Sequence, residues 1–277
     1  MSQTQTHYSS RPLPWGDESS VRWAIQPVGR AVVFVHGFGG QAEATWDEFS
    51  TLLPLQPQCA GRDLLFYGYD SLTKQAPVSA AQFLELLQPL ATDPYAQVIQ
   101  PTLKDARRAD PHFQYQSITL VAHSLGAIVV REALLQAAMD TPPAPWISKI
   151  GLVLFAPAHT GALILELAEE AMNAFPARFG SLAKSGAKAF AQVLSDLEPG
   201  SDALKKLEKD TDQLLQKGGF EALKARVVVM GDKDRIVKAV RFCADPGPKV
   251  VKGMGHIGVC KPDSGYPVPI GHLLPHI

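Results

Sequence analysis

The sequence predicts an α/β fold in which a mostly parallel central sheet carries helices on both faces. Short apolar runs rich in β-branched residues alternate along the 277-residue chain with longer stretches of helical periodicity. Four turns that follow such runs carry Gly together with Ser, Asp or His, and the carboxyl ends of parallel strands meet at one sheet edge. The predicted strands are residues 21–28, 30–35, 63–67, 118–121, 150–155, 226–230 and 249–251.

The domain organisation follows from changes in composition along the chain. Residues 1–20 are polar and contain prolines, and we expect a flexible N-terminal arm, with residues 21–277 forming one domain. Residues 162–224 are rich in Ala, Leu, Lys and Glu and contain no predicted strand. Because this block is too long for a simple crossover, we expect a helical cap inserted over the carboxyl ends of the strands. Residues 79–90 predict an amphipathic helix with Ser79 as its N-cap.

Composition excludes several functional classes. A formal net charge of −1 and scattered basic residues argue against nucleic acid, and we interpret Arg107 and Arg108 as a solvated pair. The cysteines Cys59, Cys243 and Cys260 lack paired spacing, which favours a reducing compartment and no metal site. No apolar run approaches the roughly 20 residues that span a membrane, and the N-terminus lacks a signal-peptide core. We therefore expect a cytoplasmic protein with no transmembrane segment and no cofactor.

The turn Ala122-His123-Ser124-Leu125-Gly126 lies between a predicted buried strand and an apolar run of helical length. It fits the nucleophile-elbow pattern Gly-x-Ser-x-Gly, with Ala122 in place of the first Gly. Small residues on either side of the Ser allow neighbouring backbone to approach closely. The pattern predicts Ser124 as a nucleophile at the start of a helix, and the alternative is a simple helix N-cap.

A serine nucleophile requires a base, and the base requires a carboxylate that orients it. His256, in a Gly-flanked loop after the last strand, is the candidate base, with a loop histidine satisfied by backbone as the alternative. Asp234, beyond strand 226–230, is the candidate acid. Asp232 is the alternative acid, and it could instead be a turn-forming residue. The backbone N–H groups of Phe38 and Leu125 are the candidate oxyanion-hole donors.

Other polar and aromatic residues near the predicted strand ends have more ordinary interpretations. We expect His36 to pack beneath the oxyanion turn and His123 to support the elbow. His159 is open between a group that supports the site and a structural hydrogen-bonding residue. Trp46 and Tyr69 are interpreted as packing residues, with substrate contact as the alternative.

Taken together, these segments resemble the lipase-like serine esterases of the α/β-hydrolase superfamily, the group that includes GPI inositol-deacylase-type domains. The resemblance implies an α/β-hydrolase fold, a catalytic triad of Ser124, Asp234 and His256, and an oxyanion hole formed by Phe38 and Leu125. The sequence departs from the family pattern at Ala122, in residues 157–161, which are one residue longer than the family's Pro-His-Arg-Gly, and in the cap, which aligns with no segment of the family. The segments that carry it, within residues 30–262, are 33–40, 45–46, 66–71, 121–126, 129–134, 155–161 and 255–262.

The predicted function is a serine hydrolase that cleaves carboxylic esters through an acyl-enzyme, acting on a small-molecule or lipid-like substrate. The same triad would serve a thioesterase, an amidase or an acyltransferase. A non-catalytic protein that binds a ligand beneath the cap is the alternative from a different class. Apolar cap residues favour an acyl substrate and are compatible with peripheral membrane contact, although ordinary helix core has the same pattern; examples are Leu163, Leu167, Phe175 and Phe179.

Overall fold

The computed structural model describes residues 7–103, 108, 110–180 and 186–277. Within these residues the chain forms eight strands, β1 to β8, which are Arg11–Pro12, Ser20–Arg22, Arg30–Val35, Asp63–Tyr67, Ser117–His123, Ile150–Phe155, Ala225–Gly231 and Lys249–Val251. They form one sheet in the order β1-β2-β4-β3-β5-β6-β7-β8. Strands β3 to β8 are mutually parallel, whereas β1 and β2 pair antiparallel at the edge beside β4.

The central strands are continuous apolar runs because helices cover both faces of the sheet. All but the first residue of β3 and of β5, and every residue of β6, are buried. The predicted strands 30–35, 63–67, 150–155 and 249–251 have the observed bounds, and those predicted at 118–121 and 226–230 are three and two residues longer than predicted. The predicted strand 21–28 is wrong in extent, because pairing with β4 ends at Arg22.

The helices follow the strands in alternation, as the sequence predicts. Helix α2, Ala76–Thr92, has Pro77 in its first turn, so Ser79 lies buried inside the helix and the predicted N-cap is wrong. Short 3₁₀ turns occur at Ala44–Trp46, Leu53–Leu55, Pro57–Cys59, Pro145–Lys149, Glu221–Leu223, Gly258–Cys260 and Leu274–His276, and a π turn at Tyr95–Ile99. Helices α1 to α9 are Phe49–Leu52, Ala76–Thr92, Gln100–Thr102, Leu125–Met139, Ile164–Ala174, Pro176–Phe179, Ala187–Asp196, Asp202–Lys217 and Val268–Leu273.

Aromatic side chains of β4 show that helical segments cover both faces. Phe66 and Tyr67 are adjacent in β4 and therefore point to opposite faces of the sheet. Phe66 stacks on Phe34, which also contacts Trp46 beyond β3, whereas Tyr67 contacts Phe83 of α2. The prediction of a mostly parallel sheet with helices on both faces is confirmed.

The cap is smaller than the sequence indicates. Helix α8 packs against α4, which itself packs on α2, and its buried residues Leu204, Leu207 and Leu214 recur at helical spacing. α8 is therefore part of the helical layer beside the sheet, and the expected cap of residues 162–224 is too long at its C-terminal end. The segments that contact the loops at the strand ends are α5, α6 and α7, within the described residues 164–180 and 186–196. Periodicity could not separate a cap helix from a crossover helix, because both bury one face.

Residues 7–20 are attached to the sheet, which corrects the expectation of a loose arm over 1–20 for this part. β1 pairs with β2, His7 bridges to Ala24, and Leu13 is buried. The hydrogen bonds of an edge strand come from backbone, so a polar sequence does not exclude one. Residues 1–6 lie outside the described residues.

Arg108 is buried, so its interpretation as half of a solvated pair is wrong. Its guanidinium donates two hydrogen bonds to Asp63, at 2.9 and 3.0 Å, and Tyr115 donates a third to the same carboxylate. Asp63 is the first residue of β4 and has no exposed surface, so its carboxylate requires such a partner. Arg107 lies outside the described residues.

Candidate active site

Ser124 occupies the sharp turn between β5 and α4. Its backbone angles, φ 53° and ψ −121°, are unusual for a residue other than Gly and indicate local strain that the surrounding structure must hold. The Ser124 N–H donates to the carbonyl of Phe155 at 3.1 Å, and Ala158 N–H donates to the Ser124 carbonyl at 3.2 Å. The Ser124 side chain makes no capping hydrogen bond to α4, so the N-cap interpretation of this residue has no geometric support.

The turn requires Gly after the serine because the loop after β3 passes directly against it. A Cβ atom on Gly126 would lie 2.4 Å from the carbonyl oxygens of both Val35 and His36. A Cβ on Gly37 would lie 2.7 Å from Ser124 Cβ, so this loop and the turn are in contact. Ala122, in contrast, is a fully buried residue within β5, and the strand accommodates its methyl group.

Ser124, His256 and Asp234 form a continuous hydrogen-bond chain. Ser124 Oγ lies 2.9 Å from His256 Nε2, and His256 Nδ1 lies 2.9 Å from Asp234 Oδ2. The side chains of His256 and Asp234 are each 1% exposed. Because Nδ1–H donates to the carboxylate, Nε2 carries the free lone pair and accepts a hydrogen bond from the serine hydroxyl. This arrangement is the geometry of a nucleophile, a base and an orienting acid.

Asp234 is held in its charged form. Burial raises the pKa of this carboxyl, but the hydrogen bond and charge of His256 and the backbone N–H groups of Val237 and Ile236 outweigh burial, so its pKa is lowered. The two N–H groups donate to Oδ1 at 3.1 and 2.9 Å, which leaves Oδ2 for the imidazole. An ionised carboxylate in this position stabilises an imidazolium at His256.

Of the two candidate acids, the structure brings only Asp234 to the histidine. Asp232 Oδ1 accepts a hydrogen bond from the Gly253 N–H at 2.6 Å, and the residue is exposed. Asp232 thus has the turn-forming position that its sequence context also allowed.

The backbone N–H groups of Phe38 and Leu125 have no hydrogen-bond acceptor within the described residues. Leu125 is the first residue of α4, where the N–H has no partner in the helix. Beyond Phe38 the loop is fixed by Gly39 N–H, which donates to Ser71 Oγ at 3.0 Å. The Phe38 ring contacts Phe179 of α6 and Phe190 of α7, so both helices pack against this loop.

His36 lies at the start of the loop after β3, beneath Phe38, and has a structural position. Its Nδ1 lies 2.8 Å from the Gly37 carbonyl, and its Nε2 accepts from the Tyr69 N–H at 3.2 Å. The ring stacks on Tyr69, and the Tyr69 hydroxyl donates to the His36 carbonyl at 3.0 Å. Burial lowers the pKa of His36 to about 4, so it is neutral at pH 7. Tyr69 and Trp46 are both buried packing residues.

His123 supports the loop that carries His256. Its Nε2 donates to the carbonyl of His256 at 3.0 Å, and the two rings lie 4.9 Å apart. Burial, followed by the charge of His256, lowers the pKa of His123 to about 3. Helix α5 contacts the same loop, since Glu170 accepts a hydrogen bond from the Ile257 N–H at 3.1 Å. Sequence reasoning missed Glu170, because one acidic residue among several on a helix gives no signal of its partner.

His159 lies apart from the hydrogen-bond chain. Its ring packs on Phe242 at 4.2 Å, next to the buried ion pair between Arg131 and Asp245. Burial, and secondarily the charge of Arg131, lowers the pKa of His159 well below its ordinary value. The ion pair was not predicted, because Arg131 stands in an apolar helix and Asp245 in an irregular segment, with no pattern to link them.

Neither a metal site nor a membrane span is found in the part of the chain that the structure describes. No group of three or more His, Cys, Asp or Glu side chains there is arranged to hold a metal ion. No helix in the same residues combines the length and the apolar character needed to cross a membrane.

Comparison with known proteins places the chain in a family. Similar solved structures include the mature form of lipase BlEst2 from Bacillus licheniformis, at 15% identity and a TM-score of 0.52 over 95% of each chain. Carboxylesterase CesB from Bacillus subtilis is 11% identical with a TM-score of 0.50, covering 98% of this chain and 91% of that one. The peroxisomal α/β-hydrolase Lpx1 from Saccharomyces cerevisiae is also 11% identical with a TM-score of 0.50, covering 86% and 76%.

At these identities the structural likeness shows the fold alone. No curated protein matches the sequence. The comparisons do not confirm the GPI inositol-deacylase subgroup within the resemblance. The family model of the alpha/beta hydrolases, however, matches residues 32–262, which include every strand from β4 to β8 and all the site residues described above. The chain therefore belongs to the alpha/beta hydrolase family and has its fold.

Proposed function

We propose that this protein is a serine hydrolase that cleaves carboxylic esters through an acyl-enzyme intermediate. The observation that carries the proposal is the hydrogen-bond chain from Ser124 through His256 to Asp234, with both contacts at 2.9 Å. A serine hydroxyl held in a strained turn and joined to an imidazole and a buried carboxylate is the arrangement that activates a nucleophile.

In the proposed mechanism, Ser124 Oγ attacks the ester carbonyl while His256 Nε2 takes its proton. Asp234, ionised because its pKa is lowered, stabilises the imidazolium that forms. The N–H groups of Phe38 and Leu125 stabilise the tetrahedral oxyanion. His256 then gives the proton to the leaving alkoxide, which departs as an alcohol and leaves an acyl-serine. A water molecule, deprotonated by the same imidazole, releases the carboxylic acid and restores Ser124.

The alternatives share this nucleophile or lack catalysis. A thioesterase, an amidase and an acyltransferase would use the same residues and differ in the leaving group or acceptor. A lipase and a carboxylesterase among the fold neighbours make an ester the first substrate class to test. A purely ligand-binding protein has no need for a strained serine, a base and an acid in one hydrogen-bond chain. The narrower likeness to GPI inositol-deacylase-type esterases stays part of the proposal.

We also propose a cytoplasmic location, which rests on cysteine chemistry. The cysteines Cys59, Cys243 and Cys260 are free, and two of them are buried. Free thiols are typical of reducing compartments. Fractionation of the native host should find the protein in the cytoplasmic fraction, and recovery outside the cell would contradict this part of the proposal.

Turnover of p-nitrophenyl acetate by the purified protein tests the function. Ser124→Ala and His256→Ala should each lower kcat by at least about 10⁴-fold, toward the background rate. Ser117→Ala, at the opposite end of the same strand β5, is the matched control and should retain wild-type turnover. Parallel assays with an acetyl thioester and an acetanilide rank the leaving groups. Full activity in the Ser124→Ala protein would refute the proposal.

A further inference from the structure

Helix α5 begins against the loop that carries Asp234. Leu163, the residue before the helix, donates its N–H to the carbonyl of Ile236 at 2.8 Å. Ala162 forms an isolated antiparallel bridge with Val237. Ile236 and Val237 are the residues whose N–H groups bind Asp234 Oδ1, at 2.9 and 3.1 Å. The start of α5 is therefore fixed to the same backbone that orients the Asp234 carboxylate.

Two turns further along, α5 contacts the loop that carries His256. Glu170 Oε1 accepts a hydrogen bond from the Ile257 N–H at 3.1 Å. Glu170 stands seven residues after Leu163, which is a rise of about 10 Å at roughly 1.5 Å per residue. Leu167, between them on the same helix face, is 2% exposed, so this face packs on the rest of the molecule. One helix thus joins the two loops whose side chains meet in the hydrogen-bond chain.

A second contact joins the end of α5 to the His256 loop. Phe175 follows the last residue of α5, and Lys261 lies four residues beyond Ile257. The Lys261 ammonium lies 5.3 Å from the centroid of the Phe175 ring, which is the geometry of a cation–π contact. The contact between Glu170 and the loop is therefore not isolated, and the whole second half of α5 lies along it.

The Glu170 hydrogen bond acts on the peptide group that joins His256 to Ile257. The carbonyl of this group accepts from His123 Nε2 at 3.0 Å, and its N–H donates to Glu170. A trans peptide group is planar, and its C=O and N–H point in opposite directions. The two side chains therefore hold the plane from both sides. Because the Cα atom of His256 lies in the same plane, this also fixes the point from which the imidazole projects.

The residue before His256 supplies little restraint of its own. Gly255 has no side chain, and a Cβ atom there would meet no atom within 4 Å. Glycine also has more backbone freedom than any other residue. Backbone hydrogen bonds hold the Gly255 carbonyl, which accepts from Val259 N–H at 3.2 Å, but no side-chain packing does. The contacts on the peptide after His256 add restraint at a place where the sequence provides little.

The three glutamates of α5 differ in where they lie. Glu166 and Glu169 are exposed, as expected for the solvated face of a helix, whereas Glu170 is half-buried. Glu170 is the one of the three that hydrogen-bonds to the His256 loop. Glu169 is therefore a matched control, since it has the same charge and side-chain length at the adjacent position of the same helix.

We propose that Glu170 is a positioning residue for His256. It holds the His256–Ile257 peptide opposite His123, and through α5 it keeps the His256 loop in register with the Asp234 loop. The inference rests on the proposed function for its kinetic consequence. In that function a displacement of about 1 Å at the imidazole can cost on the order of 100-fold in rate. Glu170 acts through backbone, so its loss should slow proton transfer and leave substrate binding unchanged.

Steady-state hydrolysis of p-nitrophenyl acetate tests the kinetic consequence. Glu170→Ala removes the acceptor and should lower kcat about 10-fold or more, with KM changed by less than about twofold. Glu170→Gln keeps a carbonyl oxygen for the Ile257 N–H and should retain at least about half of the wild-type kcat. Glu169→Ala should keep wild-type kcat. Equal losses in the Ala and Gln variants at Glu170, or a change in KM alone, would overturn the positioning role.

Proton NMR reports the position of the imidazole without turnover. The Nδ1 proton that His256 shares with Asp234 should give a resonance downfield of the amide region, identified by its absence in the His256→Ala protein. This resonance should shift in Glu170→Ala and lie close to its wild-type position in Glu170→Gln and Glu169→Ala. Thermal unfolding of the same samples verifies that each variant is folded. A loss of kcat in Glu170→Ala with an unchanged resonance would overturn the positioning role.

The two measurements separate this inference from the proposed function. If acetate is hydrolysed but Glu170→Ala behaves like Glu169→Ala in both, the positioning role is wrong and the proposed function stands. If the wild-type protein hydrolyses no ester but the resonance depends on Glu170, the proposed function is wrong and the positioning role stands. Absence of both turnover and a Glu170-dependent shift overturns both.

Discussion

Replacing Asp234 by Asn should exchange the hydrogen-bond donor and acceptor roles of the two ring nitrogens of His256. Asp234 Oδ1 accepts from two backbone N–H groups, at 2.9 and 3.1 Å, and an Asn carbonyl can occupy only that position. The Asn amide then faces His256 Nδ1 with a hydrogen, so Nδ1 must accept and Nε2 must carry the proton. In this tautomer Nε2 cannot take the proton of Ser124.

The expected loss is about 10⁴-fold in kcat, which corresponds to ~5 kcal/mol of transition-state stabilisation. The assay is steady-state hydrolysis of p-nitrophenyl acetate at pH 7.5, with thermal unfolding measured on the same samples. Asp232→Asn, two residues away on the exposed side of the turn, is the matched control and should keep wild-type kcat. A loss below about tenfold at Asp234, or equal losses at both positions, would refute the reasoning.

Further predictions concern the elbow, a buried ion pair and pH. Gly126→Ala would place a methyl group 2.4 Å from two carbonyl oxygens, so the turn must shift, and kcat should fall about 100-fold. Arg108→Met leaves Asp63 buried without its bidentate partner, and the free energy of unfolding should fall by about 3–5 kcal/mol in urea titrations. Burial lowers the pKa of His123 to about 3 in the folded protein, against about 6.5 in the unfolded chain. At a pH between these two pKa values, His123 is protonated only in the unfolded chain. Acidification from pH 7 to pH 5 should therefore remove about 2 kcal/mol of stability through this residue.

Each of these predictions has a control within the chain. Ala122→Gly places the common residue of the pattern in a strand that already accepts the Ala, and it should retain activity, so inactivation there would contradict the elbow geometry. Arg30→Met removes an exposed arginine and should change the free energy of unfolding by less than about 0.5 kcal/mol. His123→Gln cannot titrate and should reduce the loss of stability between pH 7 and pH 5. An unchanged pH dependence in that variant would contradict a neutral buried His123.

The central strands could be predicted from sequence because their physics is local. Parallel strands covered on both faces need unbroken apolar runs, and short runs such as 30–35 and 150–155 are typical of such strands. The elbow could be predicted for a similar reason. Only small residues allow the close approach seen at Gly126 and Gly37, so the pattern around Ser124 reflects a steric requirement.

The features that the sequence did not predict depend on contacts between distant segments. Asp232 and Asp234 look alike in sequence, and they differ because the turn directs one toward Gly253 and the other toward His256. Arg108 looks solvated until Asp63, 45 residues earlier, is seen beneath it. The length of the cap was overestimated because helical periodicity shows that one face of α8 is buried. It does not show that this face packs against α4.

The roles of the site residues remain a prediction that one measurement tests most directly. A fluorophosphonate probe reacts with an activated serine, and peptide mass spectrometry locates the label. We expect stoichiometric phosphonylation of Ser124, greatly slowed in the His256→Ala protein and absent in the Ser124→Ala protein. A folded wild-type protein that stays unlabelled, or a label on another serine that persists in Ser124→Ala, would contradict the account.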